Sequence, residues 1–119
     1  MTDVKTQPVK ATLVDDIDEH VGTPGAFEFV NHYKVTPEGR ARARQEAVEQ
    51  PAGMFYVCPC GCGHQGYLAI RPAVPEHPSW AWNGNREAPV LSPSVHHVGH
   101  WHGYLGGSDG LQPGVWVSC

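Results

Sequence analysis

At 119 residues the chain has the size of one domain with a modest core. Its formal net charge of −4 argues against a nucleic-acid partner held by bulk electrostatics. No apolar run approaches the ~20 residues of a membrane helix, and no apolar stretch follows the first residues as in a secretory signal. Those exclusions point to the cytoplasm, where cysteines serve as metal ligands or free thiols rather than disulfides.

Residues 1–24 are polar, with an acidic run at Asp15–Glu19 and a turn signal at Thr23-Pro24-Gly25, and read as an extended arm that lies along a neighbouring subunit. Residues 25–119 form the single β-rich domain. In "AFEFVNHYKV" the residues Phe27, Phe29, Tyr33 and Val35 alternate, as on one face of a strand. Thr36 is a helix N-cap and Pro37 suits the first helical position, while Pro51 and Gly53 stop the run. The spacing therefore predicts one short helix over roughly 37–49. Its Arg40, Arg42 and Arg44 read as a solvated face beside Glu38, Glu46 and Glu49.

"GMFYVC" (53–58) and "QGYLAI" (65–70) are β-prone runs on either side of a cysteine loop, which predicts a hairpin with the thiols at its tip. "RPAVPEHP" is a connector, and Trp80 and Trp82 share a strand face that ends at the turn signal Asn83-Gly84. "APVLSPS" is a further extended piece. "VHHVGHWHGYL" (95–105) reads as one strand whose face carries His96, Val98, His100, His102 and Tyr104. "GVWVSC" closes the last hairpin. If Leu105 lies opposite Gly114, His100 faces Cys119; a two-residue slip puts His102 opposite Cys119 instead. The fold class is thus mainly β, a small antiparallel sheet of hairpins with one short helix, stabilised by zinc.

The chemistry concentrates in "CPCGCGH" (58–64) and in the histidine run. Tetrahedral zinc takes four thiolate or imidazole ligands, and Cys58, Cys60, Cys62, His100, His102 and Cys119 are the candidates. Gly61 and Gly63 let the loop curl its thiols around an ion. The favoured set is Cys60, Cys62, His102 and Cys119, with Cys58 and His100 as substitutes. His64 reads as a group supporting the ligands. His20, His32, His77, His96 and His97 read as surface or hydrogen-bonded histidines.

The order "CPCGCG", Trp-bearing strand, "LSPS" (91–94), "WHGYL" and "GVWVSC" resembles a family of small phage and bacterial proteins, some of which carry the label "ammonia monooxygenase". The likeness covers about residues 53–119 and implies metal binding. Where those relatives have a cysteine three residues before the histidine matching His102, this chain has Gly99. Cys119 or His100 then stands in for that thiol.

The expected function is a structural zinc site in a small phage or prophage module that binds a protein partner or self-assembles, as a virion component or host-interaction factor, with an interaction role favoured over an enzymatic one that stays open. The alternative is a zinc hydrolase in which two histidines and a cysteine leave a position for water, with Glu76, Glu87 or Asp109 as general base. Redox sensing through exposed thiols and nucleic-acid binding rank lower, since no C-x-x-C is present and the charge is acidic.

Overall fold

The computed structural model describes residues 6–30, 51–71, 73–75, 78–106 and 112–118. The helix expected over 37–49, its arginines, and Cys119 lie outside these residues. Among the described residues nine strands form one sheet: β1 (Val9–Lys10), β2 (Thr12–Leu13), β3 (Ala26–Val30), β4 (Gly53–Val57), β5 (Gln65–Arg71), β6 (Trp80–Trp82), β7 (Leu91–His97), β8 (Trp101–Leu105) and β9 (Val115–Ser118). Among the described residues the one helical element is a 3-10 turn, Ile17–Glu19, and no helix is long and apolar enough to cross a membrane.

The sheet order is β1-β9-β8-β7-β6-β5-β4-β3-β2. β1 and β2 occupy its two ends, yet only Ala11 separates them in the chain. One N-terminal segment therefore covers both edges, and the sheet curls into a nearly closed barrel, which removes the unpaired strand edges that invite aggregation. At the seam the Ala11 N–H donates to the Gly114 carbonyl (2.8 Å) and the Thr12 N–H to the Gly25 carbonyl (3.2 Å). Gly25 has φ +83°, and a Cβ there would stand 2.8 Å from Val9 Cγ1, so the seam closes only on glycine. Residues 6–24, the described part of the segment expected as an arm along a neighbour, are in this way held by their own sheet.

The core lies inside the curl. Trp101 and Trp116, both 0% exposed, meet edge to face with centroids 5.8 Å apart, and Tyr56 packs on Trp116 at 5.4 Å. Alternation along the strands produces this filling: in β8 Trp101, Gly103 and Leu105 are buried, while His102 is half-buried and Tyr104 exposed. Gly103 is small because the Trp101 ring and the Val117 carbonyl already occupy the space a Cβ would need.

The expected β4–β5 hairpin is present, with Met54 opposite Leu68 and Tyr56 opposite Gly66. Two pairings, β2–β3 and β5–β6, are parallel, within a sheet expected to be mainly antiparallel. Between β5 and β6 the proline-rich connector suits a wide return rather than a tight reversal. The single strand expected over 95–105 is two strands. Val98 to His100 form a turn in which Gly99 has φ +78°, and a positive φ breaks the extended run. Between β8 and β9 the observed register is the two-residue slip, with Leu105 opposite Trp116 and Gly103 opposite Ser118.

Candidate functional site

The β7–β8 hairpin carries two groups of reactive side chains, one on its outer wall and one at its turn. The wall group begins with an irregularity in pairing. Leu91 lies opposite Leu105 and Val95 opposite Gly103, so four steps along β7 match two along β8. The extra length is Ser92-Pro93-Ser94, a bulge in the strand. Proline has no N–H for the ladder, which confines it to such positions, and a bulge re-aims the side chains it carries.

Two carbonyls of the bulge accept hydrogen bonds from side chains. Arg71 Nη2 donates to the Ser92 carbonyl (3.4 Å) and to the Ser79 carbonyl (3.0 Å). Trp80 Nε1 donates to the Ser94 carbonyl (3.1 Å). With its backbone held at both ends, Ser94 points its hydroxyl at His102, Oγ to Nε2 at 3.1 Å. In the tautomer with hydrogen on Nδ1, the serine O–H donates to Nε2, which is the arrangement of an activated nucleophile and its base. His96 lies directly opposite His102 across the pair, with ring centroids 4.7 Å apart.

The second group gathers where the β4–β5 loop meets the β7–β8 turn. Gly61 and Gly63, at φ +89° and +82°, curl the loop so that Cys58, Cys60 and Cys62 present sulfurs within 4.8 Å of one another. Cys62 also forms a set within that distance with His64 and His100. His97, pointing inward, shares a hydrogen bond between Nδ1 and the Tyr56 hydroxyl (3.1 Å). Burial, then the neighbouring His100, His64 and His96, lowers the pKa of His97. Burial, then the charges of Cys58 and Cys62, raises that of Tyr56, so the phenol keeps its proton.

The thiols differ in the same terms. Burial pushes Cys58, which is fully enclosed, well above the ordinary thiol range. Cys62 is exposed; the little burial it has acts upward, but hydrogen bonds from the His64 backbone and from the Cys60 and Cys58 thiols bring it below that range. Thiolate rather than thiol is the nucleophile. Timed alkylation of the metal-free native protein, mapped by peptide mass, is therefore expected to modify Cys62 first and Cys58 last. Equal rates at the two would contradict the enclosed position of Cys58.

Of the six ligand candidates, the structure brings Cys58, Cys60 and Cys62 together and sets His100 beside Cys62 and His64. His102 belongs to neither metal-capable group, because its Nε2 meets Ser94 instead. The expected H-x-H pair is split by the turn: His100 is in it and His102 beyond it. Of the general bases proposed for a zinc hydrolase, Glu76 and Asp109 lie outside the described residues. Glu87 sits in a loop capped by the Asn85 side chain, which accepts from the Glu87 and Ala88 N–H groups (3.0 and 2.8 Å). Sequence reasoning passed over Ser94, although Pro93 inside a β-prone run was a signal of the bulge.

A family described as "Bacterial ubiquitination-like system serine protease (BubE)" matches over residues 29–119, well over half of the chain. No curated protein and no solved structure matches.

Proposed function

The chain belongs to the BubE family of bacterial ubiquitination-like system serine proteases, and from that membership we propose that it is a serine peptidase with Ser94 as nucleophile and His102 as general base. The family match overturns the expectation of a phage or virion module built for interaction or assembly. The observation that carries the reading is the 3.1 Å contact between Ser94 Oγ and His102 Nε2 on a bulge braced by Arg71 and Trp80.

The steps follow from that contact. Ser94 Oγ attacks the carbonyl carbon of the scissile acyl bond while its proton passes to His102 Nε2. The tetrahedral intermediate collapses, the proton on Nε2 goes to the leaving amine, and the acyl group remains as an ester on Ser94. A water molecule then gives its proton to Nε2 and attacks the ester, which releases the carboxylic acid and returns the hydrogen to Ser94. The dyad lies on the outer wall, and His102 is half-buried, so a protein chain has access to it without entering the barrel.

The metal-capable groups support a second reading, a zinc hydrolase in which Cys62, His64 and His100 hold the ion and water takes the fourth position. Thiolate and imidazole donors favour zinc among the common divalent ions. A fluorophosphonate probe separates the two readings. The expected result is one covalent adduct, mapped to Ser94, formed equally well after chelation and re-equilibration of the folded protein. Absence of an adduct on folded protein, together with hydrolysis that depends on added zinc, would favour the metal reading.

A further inference from the structure

The outer wall around the dyad differs in charge from the rest of the chain. Aspartate and glutamate number 12 against 8 lysines and arginines, yet strands β5 to β9 hold no acidic residue and a single lysine or arginine, Arg71. Arg71 pairs with Ala81 and Ala81 with Ser92, so these three exposed residues form one row across the wall. Ser94 borders that row. Arg71 is also held in place: its Nη2 donates to the Ser79 and Ser92 carbonyls (3.0 and 3.4 Å). Among the described residues it meets these backbone carbonyls and no carboxylate. Both bonds use one nitrogen, which leaves the N–H groups on Nε and Nη1 to donate to a further acceptor.

We propose that Arg71 is a specificity-determining residue that binds a substrate carboxylate close to the scissile bond, a role that rests on the peptidase reading. Its charge is already positioned, so a ligand need not order the side chain before pairing with it. The two-residue step from Ser92 to Ser94 spans at most ~7 Å. The carboxylate therefore belongs to a residue within about three of the bond that Ser94 attacks. It is either an acidic side chain or a chain terminus, since both present the same group. A wall without carboxylates of its own receives such a substrate without like-charge repulsion, which the acidic remainder of the chain would supply elsewhere.

The test is a selectivity ratio measured on the full chain. Cleavage of a mixed peptide library, read by mass spectrometry, locates the bond and the position where acid is preferred. Matched peptides with Glu or Gln there, and with a free or amidated C-terminus, are then compared by kcat/KM, which separates the two sources of the carboxylate. The carboxylate form is expected to be preferred by about fivefold, the upper end for an exposed ion pair. The gain should lie in KM and shrink as salt rises. Arg71→Gln is expected to bring the ratio to about one. Because Arg71 also braces the bulge, the variant is read by the ratio, in which a loss of rate common to both peptides cancels. A variant that fails to fold leaves the salt dependence of the wild-type ratio as the deciding measurement. No acidic preference, a ratio insensitive to salt, or a ratio unchanged in Arg71→Gln would each overturn the proposal. If the wild type cleaves no peptide, the dyad fails instead, and retention of the same library on immobilised Ser94→Ala protein decides Arg71 alone. Enrichment of acidic peptides that disappears with Arg71→Gln would keep the subsite, and no enrichment would remove it.

Discussion

Ser94→Ala and His102→Ala are each expected to reduce hydrolysis of an activated ester or peptide substrate by at least about 10³-fold, and the double variant to be no worse than either alone. Nucleophile and base act as one unit, so removing either leaves only the contribution of binding and of any polar stabilisation of the transition state. Non-additivity separates this from damage to folding, which would accumulate. Ser92→Ala is the control from the same bulge: its hydroxyl has no part in the proposed chemistry, and its rate should remain close to that of the wild type. Independent, multiplying losses for Ser94 and His102 would mean that the 3.1 Å contact between them is not the catalytic pair.

The largest effect on stability is expected at Trp116. Its side chain is fully buried between Trp101 and Tyr56, and its indole N–H donates to the Gly25 carbonyl at 3.0 Å. It therefore supplies both core volume and a bond across the seam. Trp116→Ala leaves a cavity and removes one of the two donors to the Gly25 carbonyl, for an expected loss of about 3–5 kcal/mol. In a chain of this size that corresponds to a melting temperature lower by at least about 10 °C. Trp116→Phe keeps most of the aromatic packing and loses the hydrogen bond, so it should fall between the alanine variant and the wild type. A shift below about 3 °C for the alanine variant would show that the barrel closes without this side chain.

Much of the sheet was legible because period-two alternation and turn residues are local signals. The β4–β5 hairpin, the Trp80–Trp82 strand and the cysteine loop at a hairpin tip are all where alternation, Gly61 and Gly63 place them. The division of β8 into an inward Trp101 face and an outward His102 face follows from the same rule. What alternation does not carry is pairing between distant segments. Nothing around Val9 or Thr12 states that two-residue strands there bind the two far ends of one sheet, because that depends on the curvature the whole sheet adopts.

The site was misread for a related reason. His100 and His102 alternate correctly on an unbroken strand, but the turn over 98–100, in which Gly99 has a positive φ, leaves His100 in the turn and His102 on β8. Gly99 was read as a gap in a ligand pattern rather than as a turn. Ser94 was overlooked because serine is common on exposed strands, and its proposed role depends on a bulge that brings it against a residue eight positions later. The thiols were easier to place, since three cysteines within five positions are close in space on almost any turn.

The single-residue step at Ala11 also has a consequence for the order in which the protein takes shape. The segment that seals the barrel is made early, yet its partners come late: Thr6 and Ser118, which exchange hydrogen bonds at 3.1 Å, are 112 residues apart. During synthesis this segment has no β9 to pair with, and the loop-closure entropy of joining such distant residues has to be overcome before the contact returns anything. The hairpins from β4 to β8 are local enough to form as they leave the ribosome, whereas the barrel shuts only after β9 has emerged. A nascent chain stalled before β9 would thus hold an open sheet with an unfastened N-terminal strap, accessible to protease until the last strand is added.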